Sequence, residues 1–267
     1  MSSGHGIFAA DYAEYSNGTW RAVEGAITEE TLVRIHVNGQ EFATFMCTPR
    51  EQDELALGFL RSEGLITGLA DVRRVVVCPS GACVEVWLTD AEAVLPTSRT
   101  KIITSGCGGG ITFDDLTEQQ PALNTITTIT PERLFARMRD LYQAADLYQV
   151  TQGIHTSALT DGERLVLVAQ DVGRHNTIDR LWGKALKHGL DPRGLILLAT
   201  GRISSEMLGK AAKMGVPIVA SRTSPTSLSV RLGRAWNLTV IGYVRRDTLR
   251  VYAAGHRVVT PAAAPAA

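Results

Sequence analysis

Residues 195–245 read LILLATGRISSEMLGKAAKMGVPIVASRTSPTSLSVRLGRAWNLTVIGYVR, and their pattern indicates an α/β fold. Three apolar runs at 195–199, 216–220 and 238–243 alternate with helix-like segments at 203–214 and 225–236. The first run contains no polar residue, which is typical of a strand that is buried on both faces. Strands that alternate with helices in this way predict a mostly parallel sheet between layers of helices.

The same alternation continues on both sides of this stretch. The flanking elements are, in chain order, a helix at 131–147, strands at 153–159 and 165–169, a helix at 176–188 and a final strand at 249–253. We therefore predict that this half of the chain is a three-layer α/β/α sandwich.

The first half of the chain is richer in strand signals. Residues 31–46 alternate around Asn38-Gly39, which is a hairpin signal, and Pro49 opens a helix. Two short β-branched runs follow at 72–78 and 83–88. We expect two domains: a smaller α+β domain at 26–122, which ends in the Cys107 loop, and the α/β/α domain at 123–260. The two ends of the chain, 1–25 and 261–267, are expected to be loosely ordered.

The composition excludes several classes of function. The 267 residues contain 27 Lys+Arg and 27 Asp+Glu, so no excess of basic charge suggests binding to nucleic acid or to a membrane surface. No apolar run is long enough to span a bilayer, and the N-terminus lacks a secretory signal pattern. A cytoplasmic protein is therefore expected, in which four cysteines do not form a disulfide framework.

Arginines follow the strands of the second half. Four of the predicted strands run into an arginine within a few residues, and these arginines are Arg174, Arg202, Arg222 and Arg245. Ligands of open α/β sheets bind outside the carboxyl ends of the strands, and arginine forks bind phosphate in a bidentate way. The pattern predicts a site for a ligand with more than one phosphate; alternatively, each arginine pairs with a nearby acid.

Two histidines accompany these arginines. His175 lies in DVGRHNTIDR with Asp171, Asn176 and Asp179, and His155 lies in the predicted strand of QGIHTSAL. Each could contact the base or sugar of a ligand. The alternatives are that His175 caps the start of a helix and that His155 is a satisfied residue of the core.

Several chemistries are excluded by their motifs. A zinc deaminase needs H-x-E and P-C-x-x-C, whereas Ser157 lies two residues after His155 and Cys78 and Cys83 are five apart. No Cys/His pair has zinc-ligand spacing, so no metal site is expected. A P-loop and a G-x-S-x-G elbow are also absent from the sequence.

The remaining chemistry is that of a thiol in the loop TSGCGGG, residues 104–110. The glycines around Cys107 leave its sulfur accessible and let backbone N–H groups turn toward it, which favours the reactive thiolate. Cys47, Cys78 and Cys83 lie among apolar residues at strand ends or turns, where cysteine packs as a small hydrophobe. Cys107 is therefore the candidate for catalysis, and a turn with an incidental cysteine is the alternative.

Three segments read together resemble one family, the formate dehydrogenase accessory sulfurtransferases, FdhD. They are SGCGGG at 105–110, DVGRHNTIDR at 171–180 and the run from Ala199 to Arg245, and QGIHTSAL is also similar to a strand motif of that family. The resemblance extends over nearly the whole chain from about residue 30.

The resemblance implies a cytoplasmic sulfur carrier. Such a protein takes persulfide sulfur from a cysteine desulfurase and passes it to the molybdenum or tungsten bis(molybdopterin guanine dinucleotide) cofactor before insertion into formate dehydrogenase. It also implies a homodimer, a second domain that resembles the cytidine deaminase fold without its zinc, and binding of a GDP-like guanine nucleotide. The implied cofactor contacts are Tyr243, Val244, Arg245, Arg246, Asp247 and Thr248, and the strand-end arginines suit the pyrophosphates.

The sequence departs from many members of the family at one position. Those members carry C-x-x-C on the loop, whereas here Cys107 is followed by Gly110 at the second position. A single persulfide on Cys107 is chemically sufficient for sulfur transfer. The departure leaves open whether Cys78 or Cys83 acts as a resolving thiol, and whether the protein is instead a non-catalytic chaperone that escorts the cofactor.

Overall fold

The computed structural model describes residues 6–92, 102–103 and 120–260. The Cys107 loop and the C-terminal end therefore lie outside the described residues. Contacts divide the chain into two compact units. The first contains the described residues up to 103 with Ala145–His155 and Gln170–Gly183, and the second contains 120–144, Thr156–Ala169 and 184–260. This division is not the same as the predicted limits 26–122 and 123–260, which stay a prediction.

The described residues of the first unit form one antiparallel sheet, one mixed sheet and three helices. Its strands are β1 (Ile7–Ser16), β2 (Thr19–Thr28), β3 (Thr31–Val37), β4 (Gln40–Cys47), β5 (Val72–Val77), β6 (Cys83–Leu88) and β7 (Ile102–Ile103). Its helices are α1 (Gln52–Ser62), α3 (Asp146–Thr151) and most of α4 (Arg174–Lys187). β1 and β2 form one sheet, and the other sheet has the order β5-β6-β3-β4-β7.

The β1–β2 hairpin corrects the expectation of a loosely ordered segment over 1–25. From Ile7 onward the chain pairs in a continuous antiparallel register with Thr19–Thr28. Asn17, at the turn, has a φ of 52°. Most of the hairpin's side chains are exposed or only partly buried, so its sequence lacks the apolar alternation that marks a half-buried strand.

The second unit is built around a six-stranded sheet. Its elements are α2 (Pro131–Gln143), most of β8 (His155–Thr160) and of β9 (Leu165–Asp171), β10 (Ile196–Ala199), α5 (Ser205–Lys213), β11 (Ile218–Ser221), α6 (Ser227–Ala235), β12 (Thr239–Arg245) and β13 (Thr248–Ala253). The strand order is β13-β12-β11-β10-β8-β9. β10, β11 and β12 are parallel, whereas β8 and β13 run antiparallel to their neighbours β10 and β12.

This topology confirms the α/β class and restricts the predicted parallel pairing to the centre of the sheet. β12 and β13 are joined by the tight turn at Arg246-Asp247, and so short a connection can only join antiparallel strands. The core on one face consists of Ile129, Leu134, Met138, Leu141, Ala158, Ile196, Leu198, Ile218, Ala220, Ile241 and Val244. This core places α2 beside the carboxyl ends of β11 and β12.

Two helices of the second unit begin at hydroxyl caps that follow a strand-end arginine by two to four residues. The Ser204 hydroxyl accepts a hydrogen bond from the Met207 N–H at the start of α5, and the Thr226 hydroxyl accepts one from the Ser229 N–H at the start of α6. Such caps stabilise a helix by about 1 kcal/mol each. They fix where the chain leaves β10 and β11 and turns into a helix.

No helix of the described residues has the length and apolar character needed to cross a membrane.

Candidate functional site

A cavity of about 430 Å³ opens at the carboxyl ends of β11 and β12. Its lining is Phe135, Met138, Arg139, Tyr142, Arg222, Val244, Arg245, Arg246, Asp247 and Thr248, which we call the arginine pocket. Arg222 follows the last residue of β11, and Val244 and Arg245 end β12. The chain therefore places its ligand cavity where open α/β sheets bind ligands.

The backbone at the end of β12 is irregular where it forms the arginine pocket. Tyr243 and Arg246 have φ values of 54° and 42°, a region that non-glycine residues rarely adopt. The β12–β13 register shifts between Gly242 and Arg245, and the Tyr243 N–H donates to the Thr223 carbonyl at 3.1 Å. Bulges of this kind redirect side chains, and strained residues cluster at ligand sites.

The charge of the arginine pocket is strongly positive. Four arginines, namely Arg139, Arg222, Arg245 and Arg246, share the lining with one carboxylate, Asp247. Within the part of the chain that the structure describes, no ion pair joins Arg139, Arg245 or Arg246 to an acid. An anion with several charges would therefore be attracted to this cavity.

Aromatic rings support the guanidinium groups. The Arg222 guanidinium carbon lies 5.1 Å from the centre of the Tyr142 ring. Arg245 and Arg250 lie 5.4 Å and 4.3 Å from the centre of the Tyr243 ring. Cation–π contact orients an arginine through the face of its guanidinium group rather than through its N–H donors.

The structure brings only part of the predicted site together. Arg222 and the residues from Val244 to Thr248 line one cavity, and Tyr243 packs against two arginines beside it. Arg202 is exposed in the bend after β10 and is not in the lining. Arg174, His175 and His155 belong to the first unit. The cofactor contacts assigned to all of these residues stay predictions.

Residues of α2 were missed by the reasoning from sequence. The sequence predicts a helix at 131–147 but indicates no site residue on it, although Phe135, Met138 and Tyr142 share one apolar face of that helix. In the structure Phe135 and Tyr142 are only partly buried, and Arg139 reaches the cavity from the same helix. The sequence feature that could have indicated these site residues is Arg139, at the edge of that apolar face and close to Phe135 and Tyr142.

The DVGRHNTIDR segment forms a buried ion pair. Arg180 and Asp171 have fully buried side chains, and the Arg180 Nε donates to Asp171 Oδ2 at 2.9 Å. Burial alone would lower the pKa of Arg180, but the charge and hydrogen bonds of Asp171 outweigh burial and raise this pKa above its ordinary value. Arg180 is therefore a permanent buried cation.

The remaining donors of Arg180 bind the chain that precedes α1. They reach the carbonyl oxygens of Thr48 and Glu51, each at 2.8 Å, and that of Arg50. Asp171 also accepts from the N–H groups of Gly173 and Thr48 and from Asn176 Nδ2. We call these contacts the Arg180 network, and they assign Asp171 and Asn176 to stabilisation of the first unit.

The structure contradicts one expectation about the cysteines, which concerns Cys78 and Cys83. Cys47 is buried, and burial together with the nearby charge of Asp171 raises the pKa of its thiol to about 12, so it is unreactive at neutral pH. Cys78 and Cys83, expected to pack as free apolar residues, are joined by a disulfide across the β5–β6 hairpin. Cys107 lies outside the described residues.

Comparison with known proteins gives a consistent result. Residues 28–259 match the model of the FdhD/NarQ family. The chain is 38% identical over 252 residues to the Sulfur carrier protein FdhD of Bacillus subtilis (strain 168), covering 93% of this chain and 96% of that protein. It is 36% identical over 237 residues to the protein of the same name from Staphylococcus aureus (strain MRSA252), covering 87% and 89%.

A solved structure shares the fold. It is described as a candidate formate dehydrogenase accessory protein from Desulfotalea psychrophila, and it superposes with a TM-score of 0.78 at 24% identity, covering 95% of this chain and 99% of that one. Because the family model and these relatives span most of the sequence, this chain belongs to the FdhD/NarQ family.

Proposed function

We propose that this protein is a sulfur carrier that serves formate dehydrogenase. It takes persulfide sulfur from a cysteine desulfurase onto Cys107 and delivers it to the molybdenum or tungsten bis(molybdopterin guanine dinucleotide) cofactor before that cofactor enters formate dehydrogenase. The observation that carries the proposal is the arginine pocket, in a chain whose relatives are named sulfur carrier proteins. Four arginines around one cavity suit the pyrophosphate groups of a guanine dinucleotide.

The sulfur transfer is a thiol–persulfide exchange. The Cys107 thiolate attacks the outer sulfur of the donor's persulfide, the donor's S–S bond breaks, and the donor leaves as a thiolate. Cys107 then carries the outer sulfur until the acceptor takes it and the Cys107 thiolate is regenerated. No second thiol on the loop is needed for this sequence, which agrees with Gly110 at the position where many relatives have a second cysteine.

Replacing Cys107 with alanine is expected to abolish sulfur loading. After incubation with a cysteine desulfurase and cysteine, intact-mass measurement should show a parent protein heavier by one sulfur atom and an unmodified Cys107→Ala variant. Cys47→Ala is the matched control, because the buried Cys47 thiol is not ionised at neutral pH. An adduct that persists in Cys107→Ala would overturn the role of Cys107.

Arg222→Ala is expected to weaken binding of GDP, used as a probe of the arginine pocket, by roughly 10-fold or more. A hydrogen bond to a charged group contributes about 1.5–3 kcal/mol, and Arg222 is held toward the cavity by Tyr142. Arg231→Ala is the control, because Arg231 is exposed on α6 and outside the pocket lining, and the affinity of this variant should stay close to that of the parent. Calorimetric titration measures both, and equal losses in the two variants would contradict this assignment.

A second candidate function is a non-catalytic chaperone that binds and escorts the same cofactor. It is favoured by one observation, the single cysteine of the 104–110 loop. Complementation of a strain that lacks the gene separates the two functions. A sulfur carrier loses formate dehydrogenase activity in Cys107→Ala, whereas an escort keeps it and loses it in Arg222→Ala.

The proposal includes a cytoplasmic location, a homodimer and a likeness of the second unit to the cytidine deaminase fold. The parallel strands β10, β11 and β12 with flanking helices support this likeness. Light scattering coupled to size-exclusion chromatography tests the dimer, and a monomeric mass would contradict it.

A further inference from the structure

Three adjacent strands of the first unit bring metal-binding side chains together. His36 on β3 and Glu85 on β6 are partners in a parallel register, and Cys83 precedes Glu85 by two residues on the same face of β6. One ligand atom from each of these three side chains lies within 4.8 Å of the other two. Cys78, which follows the last residue of β5, is bonded to Cys83 and adds a second sulfur next to this group. We call these four residues the Cys83 cluster.

One pair of ligand atoms in the Cys83 cluster has the spacing of a tetrahedral zinc site. Zinc binds nitrogen and oxygen at about 2.0–2.2 Å, so two such ligands at the tetrahedral angle lie about 3.4 Å apart. His36 Nδ1 and Glu85 Oε1 are 3.3 Å apart. His36 Nδ1 is nonetheless buried and makes no hydrogen bond with any described residue. Its 3.3 Å contact with Glu85 is its one polar contact among the described residues, and a metal ion would give this buried nitrogen a ligand bond.

The surroundings of the cluster also suit a thiolate site. The side chains of His36 and Glu85 are 21% and 31% exposed, so a metal ion can enter while most of its shell is protein. Arg34 is the register partner of Cys83 on β3, and a neighbouring cation favours the thiolate form of a cysteine. Imidazole together with thiolate ligands selects zinc over harder cations such as magnesium and calcium.

We propose that the Cys83 cluster is a redox-gated zinc site. In the oxidised protein the two sulfurs are bonded to each other and cannot ligate. A dithiol reductant supplies two electrons and two protons, which break the Cys78–Cys83 bond and give two thiols, while the reductant becomes a disulfide. Zn²⁺ then displaces both thiol protons and is held by Cys78, Cys83, His36 Nδ1 and a Glu85 oxygen.

The Cys83 cluster is separate from the proposed sulfur transfer, because it includes neither Cys107 nor any residue of the arginine pocket. It gives Cys78 and Cys83 a role other than that of resolving thiols. The sequence hides this site, because its ligands come from three strands and the two cysteines are five residues apart rather than at a familiar zinc spacing.

Cobalt titration tests the proposal on the full chain carrying Cys107→Ser, which removes the loop thiol as a source of signal. The protein is reduced with a phosphine, freed of reductant under anaerobic conditions and titrated with Co²⁺. The expected result is a thiolate-to-cobalt charge-transfer band that saturates at one metal per chain and disappears when Zn²⁺ is added. The protein with its disulfide intact should show no band.

Two further variants identify the ligands. Cys83→Ser should remove the band, and His36→Gln should weaken Co²⁺ binding by at least about 10-fold, since loss of even an outer-shell partner costs that much. His256→Gln, which changes an exposed histidine of the second unit, is the control and should bind as the parent does. Circular dichroism shows that each variant is folded. The absence of a band in the reduced parent, or equal binding in the parent and His36→Gln, would overturn the proposal.

Discussion

Asp171→Ala is expected to lower the free energy of unfolding of the protein by about 3–5 kcal/mol, because it leaves a buried cation without its counter-charge. The Arg180 side chain is fully buried, and Asp171 is the acid that pairs with it. Three backbone carbonyls bind the other donors of Arg180, but carbonyl dipoles do not neutralise a full charge. Denaturation by urea, followed by circular dichroism, measures the loss.

Asp191→Ala is the matched control for this substitution. Asp191 pairs with Arg193 through comparable hydrogen bonds, but both side chains are mostly exposed. Exposed ion pairs contribute about 0–1 kcal/mol, so this variant should unfold close to the parent. If the two variants lost the same stability, burial would not be the source of the effect and the role given to the Arg180 network would be wrong.

Gly183→Ala is expected to lower the free energy of unfolding by about 3 kcal/mol or more, above the usual range for overpacking. A Cβ on Gly183 would lie 1.9 Å from the Glu54 carbonyl oxygen, and a Cβ on Gly58 would lie 1.7 Å from that of Asp179. α1 and α4 therefore touch backbone to backbone at these two glycines. Because the obstructing atoms are backbone, no side-chain rotation relieves the clash.

Gly209→Ala gives the opposite expectation from the same chemical change. Gly209 lies inside α5, and a Cβ there would meet nothing within 4 Å. Alanine is favoured over glycine in a helix by roughly 0.5–1 kcal/mol, so Gly209→Ala should raise the melting temperature while Gly183→Ala lowers it. A loss of stability in both variants would mean that close packing at Gly183 is not the cause.

Local sequence patterns predicted the elements whose residues are close in sequence. The Asn38-Gly39 signal gave the β3–β4 hairpin, and the apolar run at 195–199 gave the central strand β10. Arginines after strands pointed to the carboxyl edge of the sheet, and Arg222 and Arg245 do meet in one cavity there. These signals succeed because a turn or a strand end is encoded by a few consecutive residues.

Contacts between residues that are far apart in the sequence could not be predicted from such local patterns. Arg180 looked like one more helix arginine, because its carbonyl partners lie about 130 positions away in the sequence. The disulfide was missed because pairing depends on the register of β5 and β6, which places Cys78 opposite Cys83. Arg202 and Arg222 both follow a strand in the sequence. Which of them faces the cavity depends on the register and twist of the strands, which local sequence patterns do not give.

The Arg180 network also has a consequence for synthesis of the chain. Arg180 binds the Thr48 carbonyl from a position 132 residues later, so the ribosome has made most of the protein before this contact can form. Until then the turn that leads into α1 has neither its cation nor its helix partner α4. Because such non-local contacts form slowly and leave apolar surface exposed meanwhile, a nascent chain stalled before Gly183 should be a substrate for chaperones and proteases.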